Sequence, residues 1–392
     1  MMRNRNAGKS SEMQAATMTR RRFLAALGGL TATLAIGHRV ASASTASSPR
    51  MLVVLLRGAM DGLHLLPPRG DPHLATARGV LAVEGARSLD GSFGLHPGLP
   101  FAHALFARKQ LLPVLAVAPP YRQRSHFDAQ DCLENGTAVP GGRRDGWIGR
   151  CIEAMSGTQG LAIAQVMPLA MRGSTRSDIW SPALPRDPSE MLMGQLQALY
   201  AEDARLAPAF ADAMRAGDLA TTRAGAFRLE DAMAVAARRL KGNDGARIAF
   251  VADTGWDTHR GQEAALARKF GELDAGLRGL HDGLGEDWRS TVVMVVTEFG
   301  RTVRANGSGG TDHGVGGVAL LAGGAVRGGR VVGDWPGLAP ADLLGGRDLR
   351  ATTDLRALFK GVLLGHLGLR ESVVETMVFP DSRDVRPFDG LV

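Results

Sequence analysis

Met51-Leu52-Val53-Val54-Leu55-Leu56 is a run of six apolar residues that stops at Arg57-Gly58-Ala59-Met60-Asp61-Gly62. Its length is that of a strand. The lack of apolar/polar alternation means that both faces are buried, as in a parallel sheet covered by helices on each side. Comparable runs recur at 111–118, 161–167, 247–252, 291–297 and 315–322, with helical patterns at 97–109, 261–283 and 353–367. This alternation predicts an α/β fold, a mainly parallel central sheet between two helical layers. Residues 189–241, rich in Ala, Leu, Met, Arg and Glu and preceded by Asp187-Pro188, read as a helical insertion without chemistry of its own. The stretch 326–335 (VRGGRVVGDW) reads as a glycine-turn hairpin.

The 392 residues carry 46 Lys and Arg against 39 Asp and Glu, with 45% hydrophobic residues and two cysteines. That balance excludes a disordered polymer, a disulfide scaffold and a polytopic membrane protein. The net charge of +7 would invite a nucleic-acid partner if it formed a stripe, but most of it sits at one end. In residues 1–43, Arg3, Arg5, Lys9, Arg20, Arg21, Arg22 and Arg39 stand against Glu12 alone. The remainder is close to neutral, which leaves no basic footprint for a phosphate backbone. Cys132 and Cys151 have no metal-ligand spacing and are read either as a disulfide or as two buried thiols.

The basic end reads Thr19-Arg20-Arg21-Arg22-Phe23-Leu24, then an apolar stretch over 23–37, then Ala41-Ser42-Ala43. These three parts resemble a twin-arginine signal peptide. The apolar stretch would rise only about 22 Å as a helix, short of a bilayer core of about 30 Å, so a cleaved signal is preferred to an anchor. The resemblance implies passage through the twin-arginine translocase, a periplasmic or extracellular location, and no stable membrane span after cleavage. Residues 1–43 are therefore read as the signal and 44–392 as a single domain.

Ligands of open parallel sheets bind beyond the carboxyl ends of the strands. Polar residues collect there: Asp61; Arg124-Ser125-His126-Phe127-Asp128; Asp253 through Asp257 and His259; Glu298 and Arg301; Asp312-His313. Carboxylates and imidazoles suit a divalent cation such as Zn, Mn, Ca or Mg, which would polarise an ester oxygen. Ser125 opens a helix, where it is either the N-cap or a nucleophile beside an anion-favouring helix terminus. Arg124 and Arg301 would grip substrate oxyanions or pair with a neighbouring carboxylate. No HExxH, GxSxG, P-loop or strand-to-helix GxGxxG motif is present. His96, in Leu95-His96-Pro97-Gly98, precedes a helix-starting proline and reads as structural.

The blocks Arg57-Gly-Ala-Met-Asp61-Gly-Leu, Phe93-Gly-Leu-His96-Pro97, Arg124-Ser-His-Phe-Asp-Ala-Gln-Asp131, Gly255-Trp-Asp-Thr-His259, Glu298-Phe-Gly-Arg301 and Gly307-Ser-Gly-Gly-Thr-Asp-His-Gly314 together resemble the DUF1501 family. That resemblance implies the alkaline-phosphatase-like and sulfatase-like three-layer α/β/α sandwich. It further implies Asp61, Asp257, His259, Glu298, Asp312 and His313 as metal ligands and Ser125 at the nucleophile position.

Three departures qualify the implied chemistry. Phosphatases of the superfamily carry Asp-His where Glu298-Phe299 stands, which removes one imidazole, and Asp257-x-His259 is shorter than the usual spacing unless Asp253 and Asp257 form the pair. The Cys-x-Pro-x-Arg sulfatase signature is absent. The expectation is an exported hydrolase of a phosphate, sulfate or related ester, small or polymeric, with one metal or an altered pair. The alternative is an inactive binding or scaffold protein that retains the fold.

Overall fold

The computed structural model describes residues 48–181, 190–201, 203, 206–208, 210–211 and 228–392. The signal-like segment 1–43 and much of 189–241 lie outside the described residues. In chain order the strands are β1 (Arg50–Leu56), β2 (Arg87–Ser88), β3 (Gly94–Leu95), β4 (Leu111–Ala118), β5 (Gly160–Ile163), β6 (Ser177–Trp180), β7 (Ile248–Asp253), β8 (Thr291–Val296), β9 (Gly317–Ala322) and β10 (Thr353–Asp354). Eight form one sheet in the order β10-β4-β9-β8-β1-β7-β5-β6, while β2 and β3 pair separately.

The opening run becomes β1 at the centre of this sheet, parallel to both β7 and β8. Its side chains alternate between two cores, as the period of a strand requires. Leu52, Val54 and Leu56 enter one core, shared with the helices Leu229–Leu240 and Gln262–Leu284. Met51, Val53 and Leu55 enter the other, shared with Trp147–Ala154 and Leu355–Gly365. A continuous apolar sequence is therefore what a two-sided strand needs, and the result is a three-layer α/β/α sandwich. Only β9 among the main-sheet strands runs against its neighbours, antiparallel to β4 and β8.

Two local expectations change. Residues 326–335 do not form a hairpin. Instead Val332 takes the N–H of Leu115 on its carbonyl (2.8 Å) and gives its own N–H to Pro113 O (3.0 Å). Pro113 has no N–H for a ladder, and β4 is irregular between Val114 and Val117, so this stretch pairs with β4 rather than with itself. The Leu229–Leu240 helix, read as part of an insertion, is a full member of its layer, burying Leu229, Ala232, Met233, Ala236 and Leu240.

His96 lies in this scaffold, 6% exposed, with its ring 4.8 Å from Phe270 and 5.3 Å from His64. Its Nδ1 accepts the Gly98 N–H at 3.0 Å, a bond that protonation would destroy. Burial, with the His64 ring adding to it, lowers its pKa to about 4. Between that value and the ordinary 6.5 the unfolded chain binds more protons than the folded one. Stability is therefore held above pH 6.5 and lost as pH falls toward 4, by about 3 kcal/mol for this group. Urea titrations from pH 7 to 4.5 are expected to show that decline, and His96→Gln to flatten part of it. An unchanged slope in the variant would refute the assignment.

Candidate metal centre

Four chain segments meet at the carboxyl edge of the sheet. His126 is the first residue of the helix His126–Asn135, with Ser125 as its N-cap. Asp257 and His259 follow β7, Glu298 and Arg301 follow β8, and His313 precedes β9. Because β9 is antiparallel, its start lies at the same edge as the ends of β1, β7 and β8. Close backbone approach brings the loops together. A Cβ on Gly58, whose φ is +116°, would lie 2.4 Å from Asp257 N, and one on Gly310 would lie 2.3 Å from the His259 carbonyl carbon.

Three imidazole Nε2 atoms and one carboxylate converge there. His126 Nε2 is 3.0 Å from His313 Nε2, and the Asp257 carboxylate is 3.4 Å from each. His259 Nε2 adjoins both His313 Nε2 (3.1 Å) and Asp257 Oδ1 (3.0 Å). His126, Asp257 and His313 alone offer three ligand atoms within 4.8 Å of one another.

The opposite nitrogens explain why these rings do not simply bond to one another. His126 Nδ1 faces Glu298 Oε1 (2.8 Å), His259 Nδ1 faces Asp312 Oδ1 (3.1 Å), and His313 Nδ1 faces Arg124 O (3.0 Å). All three partners are acceptors, which suits neutral rings that carry the hydrogen on Nδ1. In that tautomer the Nε2 lone pairs point at one another and at the Asp257 carboxylate, an arrangement that a cation satisfies. Ligand atoms held tetrahedrally at zinc distances stand about 3.3 Å apart, matching the edges observed. The residues fit a metal ion, and their Nδ1 partners are the outer contacts that orient such ligands.

Charge follows the same plan. Hydrogen bonding to Glu298 raises the His126 pKa despite burial, whereas burial and the adjacent His126 lower that of His313. Burial alone would raise the Asp257 carboxyl, but the Arg301 bond and charge hold it below its usual range. Glu298 is fully buried. Burial there is outweighed by bonds from His126, Gln130 and the Gly58 N–H, which keep it ionised.

A family model described as a protein of unknown function, DUF1501, matches residues 116–378. The chain belongs to the DUF1501 family. No curated protein matches it. Among solved structures, it is similar to a protein in the alkaline phosphatase superfamily from Vibrio parahaemolyticus, at 12% identity and a TM-score of 0.39, over 72% of this chain and 62% of that one. It is similar to the PsFucS1 sulfatase from Pseudoalteromonas sp., at 12% identity and 0.35, over 80% and 68%. It is also similar to the phosphonate monoester hydrolase of Agrobacterium radiobacter, at 13% identity and 0.36, over 82% and 74%.

In this DUF1501 protein the residues expected to bind metal separate into three roles. Asp257, His259 and His313 face the convergence point. Glu298 and Asp312 stand one step back, holding His126 and His259 by Nδ1. Asp61 is elsewhere: it caps the short helix Gly62–Leu65 through the N–H groups of Leu63 and His64, and its other oxygen pairs with buried Arg78 at 2.7 Å. A carboxylate committed in this way has no oxygen left for an ion.

Arg301 is fully buried on its side chain, pairs with Asp257 at 2.5 Å and donates to Thr311. It orients Asp257 and is not open to a substrate. Arg124 has φ +61°, an unusual backbone for a non-glycine residue, and its carbonyl holds His313 while its guanidinium reaches Asp348. Ser125 Oγ accepts the Asp128 N–H at 3.5 Å, as an N-cap does. His126 is the member of this cluster that sequence reasoning left unassigned. Its signal was the position after the N-cap on a helix starting at the strand-end edge. Cys132 and Cys151 are free and buried among the described residues.

Proposed function

We propose that this DUF1501 protein is an exported, metal-dependent hydrolase of phosphate, sulfate or related esters, centred on His126, Asp257 and His313 with His259 beside them. The convergence of three imidazole Nε2 atoms and the Asp257 carboxylate carries the reading. Two or three nitrogens with one carboxylate favour zinc or another first-row ion over calcium or magnesium. A divalent ion held by these residues would supply Lewis-acid polarisation of the ester group.

The chain's own residues do the rest. Glu298, Asp312 and the Arg124 carbonyl keep three rings in the tautomer that presents Nε2. Arg301 keeps Asp257 ionised and oriented. Ser125 is the nucleophile in this reading, at a helix N-terminus whose dipole and free N–H groups favour an anion. Its hydroxyl would give up its proton to solvent as the oxygen bonds to the phosphorus or sulfur, and the ester oxygen would leave with a proton from solvent. Water would then hydrolyse the seryl ester.

Phe299 packs its ring 4.8 Å from His126 and 5.2 Å from His313, where the superfamily pattern would put an imidazole. That favours one ion over two, and it is also the observation that supports an inactive, ligand-binding alternative. Export rests on the twin-arginine-like segment, with the translocase as the partner in transit and the periplasm or exterior as destination. Among the described residues no helix is long and apolar enough to cross a membrane.

The test is hydrolysis of aryl phosphate and aryl sulfate esters by metal-loaded protein. Ser125→Ala is expected to cut kcat by at least about 1000-fold with metal content unchanged. Full activity in that variant removes Ser125 from the mechanism, and no turnover by the metal-loaded wild type supports the binding protein.

A further inference from the structure

The outer side of His313 is built from Arg124, Arg347 and Asp348, whose side chains the metal centre does not require. Asp348 has a fully buried side chain, yet neither of its oxygens has an aligned hydrogen bond. Instead it faces two guanidiniums, Arg124 Nη2 at 2.9 Å and Arg347 Nη1 at 3.3 Å. Both arginines are also tied to His313: its Nδ1 faces Arg124 O at 3.0 Å, and Arg347 Nη2 donates to its carbonyl at 2.8 Å. One buried carboxylate thus holds two guanidiniums in place beside the site, with Asp312 within electrostatic reach of Arg347.

The arginines are held without being consumed. Their side chains remain 37% and 43% exposed, and the Nε of Arg124 is buried without a partner. Each guanidinium has five donors in a planar fork, so several remain unused. Arg124 packs with Tyr121, Arg122, Phe299, Gly314 and Val315, and Phe299 is the ring packed on His126 and His313. Holding Arg124 at φ +61° costs energy that a surface arginine has no reason to spend.

We propose that Arg124 and Arg347, anchored by Asp348, form a clamp for the unesterified oxygens of a tetrahedral oxyanion, making the substrate class phosphate or sulfate monoesters in place of neutral esters. This rests on the hydrolase reading of the same site. Asp348 is a positioning residue, because it acts through the two arginines. Neutral carboxylic esters lack the charge and the second and third oxygens that two forks would engage.

The test is calorimetric titration of zinc-loaded full chain with inorganic phosphate and, separately, inorganic sulfate, with metal content and melting temperature measured for each variant. The wild type is expected to bind at least one of the two anions, and the preferred one separates the phosphate from the sulfate source. Arg347→Ala is expected to weaken binding at least 10-fold with metal content unchanged, and Arg347→Lys to restore it only in part. Asp348→Asn adds a positive increment to the local charge, so electrostatics alone would tighten binding. The clamp predicts at least 5-fold weaker binding. Wild-type-like affinity in Arg347→Ala, tighter binding in Asp348→Asn, or no binding of either anion by the wild type overturns the proposal. Should Asp348→Asn fail to fold, the exposed Arg347 pair of variants decides alone. Equilibrium binding separates the two readings: anion affinity that depends on Arg347 without turnover keeps the clamp and removes the hydrolase, and turnover with unaltered anion affinity does the reverse.

Discussion

His313→Ala is expected to lower zinc affinity by at least about 100-fold while leaving the melting temperature of the metal-free protein within a few degrees. His313 is the pivot of the cluster. Its Nε2 lies 3.0 Å from His126 Nε2, 3.1 Å from His259 Nε2 and 3.4 Å from Asp257, so its removal leaves the other three without their common neighbour. Its ring is partly exposed and its Nδ1 faces a neutral carbonyl, Arg124 O, so truncation leaves no buried charge behind. Asp257→Ala would be a poorer test, because it strands the buried Arg301 guanidinium. Elemental analysis together with competition against a chromophoric chelator gives the affinity. Wild-type zinc content in His313→Ala would sink the centre as described.

How much of this was legible in the sequence depends on what each signal encodes. The run 51–56 announced a strand buried on both faces, and the structure puts β1 between β7 and β8 with its side chains in two cores. Strand direction is not encoded in hydrophobicity. The reversal of β9 was therefore invisible, although it is what delivers His313 to the shared edge. Short β6 and β10, whose residues are exposed or half-buried apart from Trp180, carry little apolar signal.

At the site, position after a strand picked out Asp257, His259, Glu298 and Asp312-His313 as neighbours. It could not distinguish a side chain that faces an ion from one that holds the ring behind it. That distinction depends on side-chain direction over a few ångströms. Ser125 and His126 illustrate the same limit: the local sequence marks Ser125 as a cap, and only the helix phase shows that the imidazole beside it meets His313. Phe127, the next residue, is 88% exposed.

Asp61 shows where strand-end logic fails, and it leads to the second large effect. Asp61→Asn is expected to destabilise the protein by about 3–5 kcal/mol, with a fall in melting temperature of roughly 6 °C or more. The carboxylate is 1% exposed and its partner Arg78 is equally buried, so loss of the negative charge leaves a guanidinium in the interior. Two backbone carbonyls, Thr302 O at 3.4 Å and Val303 O at 3.0 Å, are the other contacts that Arg78 keeps.

Burial by itself would raise the Asp61 pKa, yet the charge of Arg78 holds it below the usual carboxylate range. The pair also feeds the site indirectly. Gln262 donates to Asp61 at 2.6 Å, its carbonyl oxygen accepts from Thr311 at 2.6 Å, and Thr311 accepts from Arg301, which holds Asp257. A structural pair and a metal ligand predict opposite patterns for this variant. As the pair, Asp61→Asn lowers stability while zinc affinity of the folded protein stays within a few-fold, and Asp61→Leu combined with Arg78→Met recovers much of the loss, because removing both charges leaves neither uncompensated. As a ligand, Asp61 would show lost zinc and near-normal stability in the metal-free state, and the double variant would not recover the metal. Chemical denaturation of the single and double variants, with metal content measured on each, separates the two.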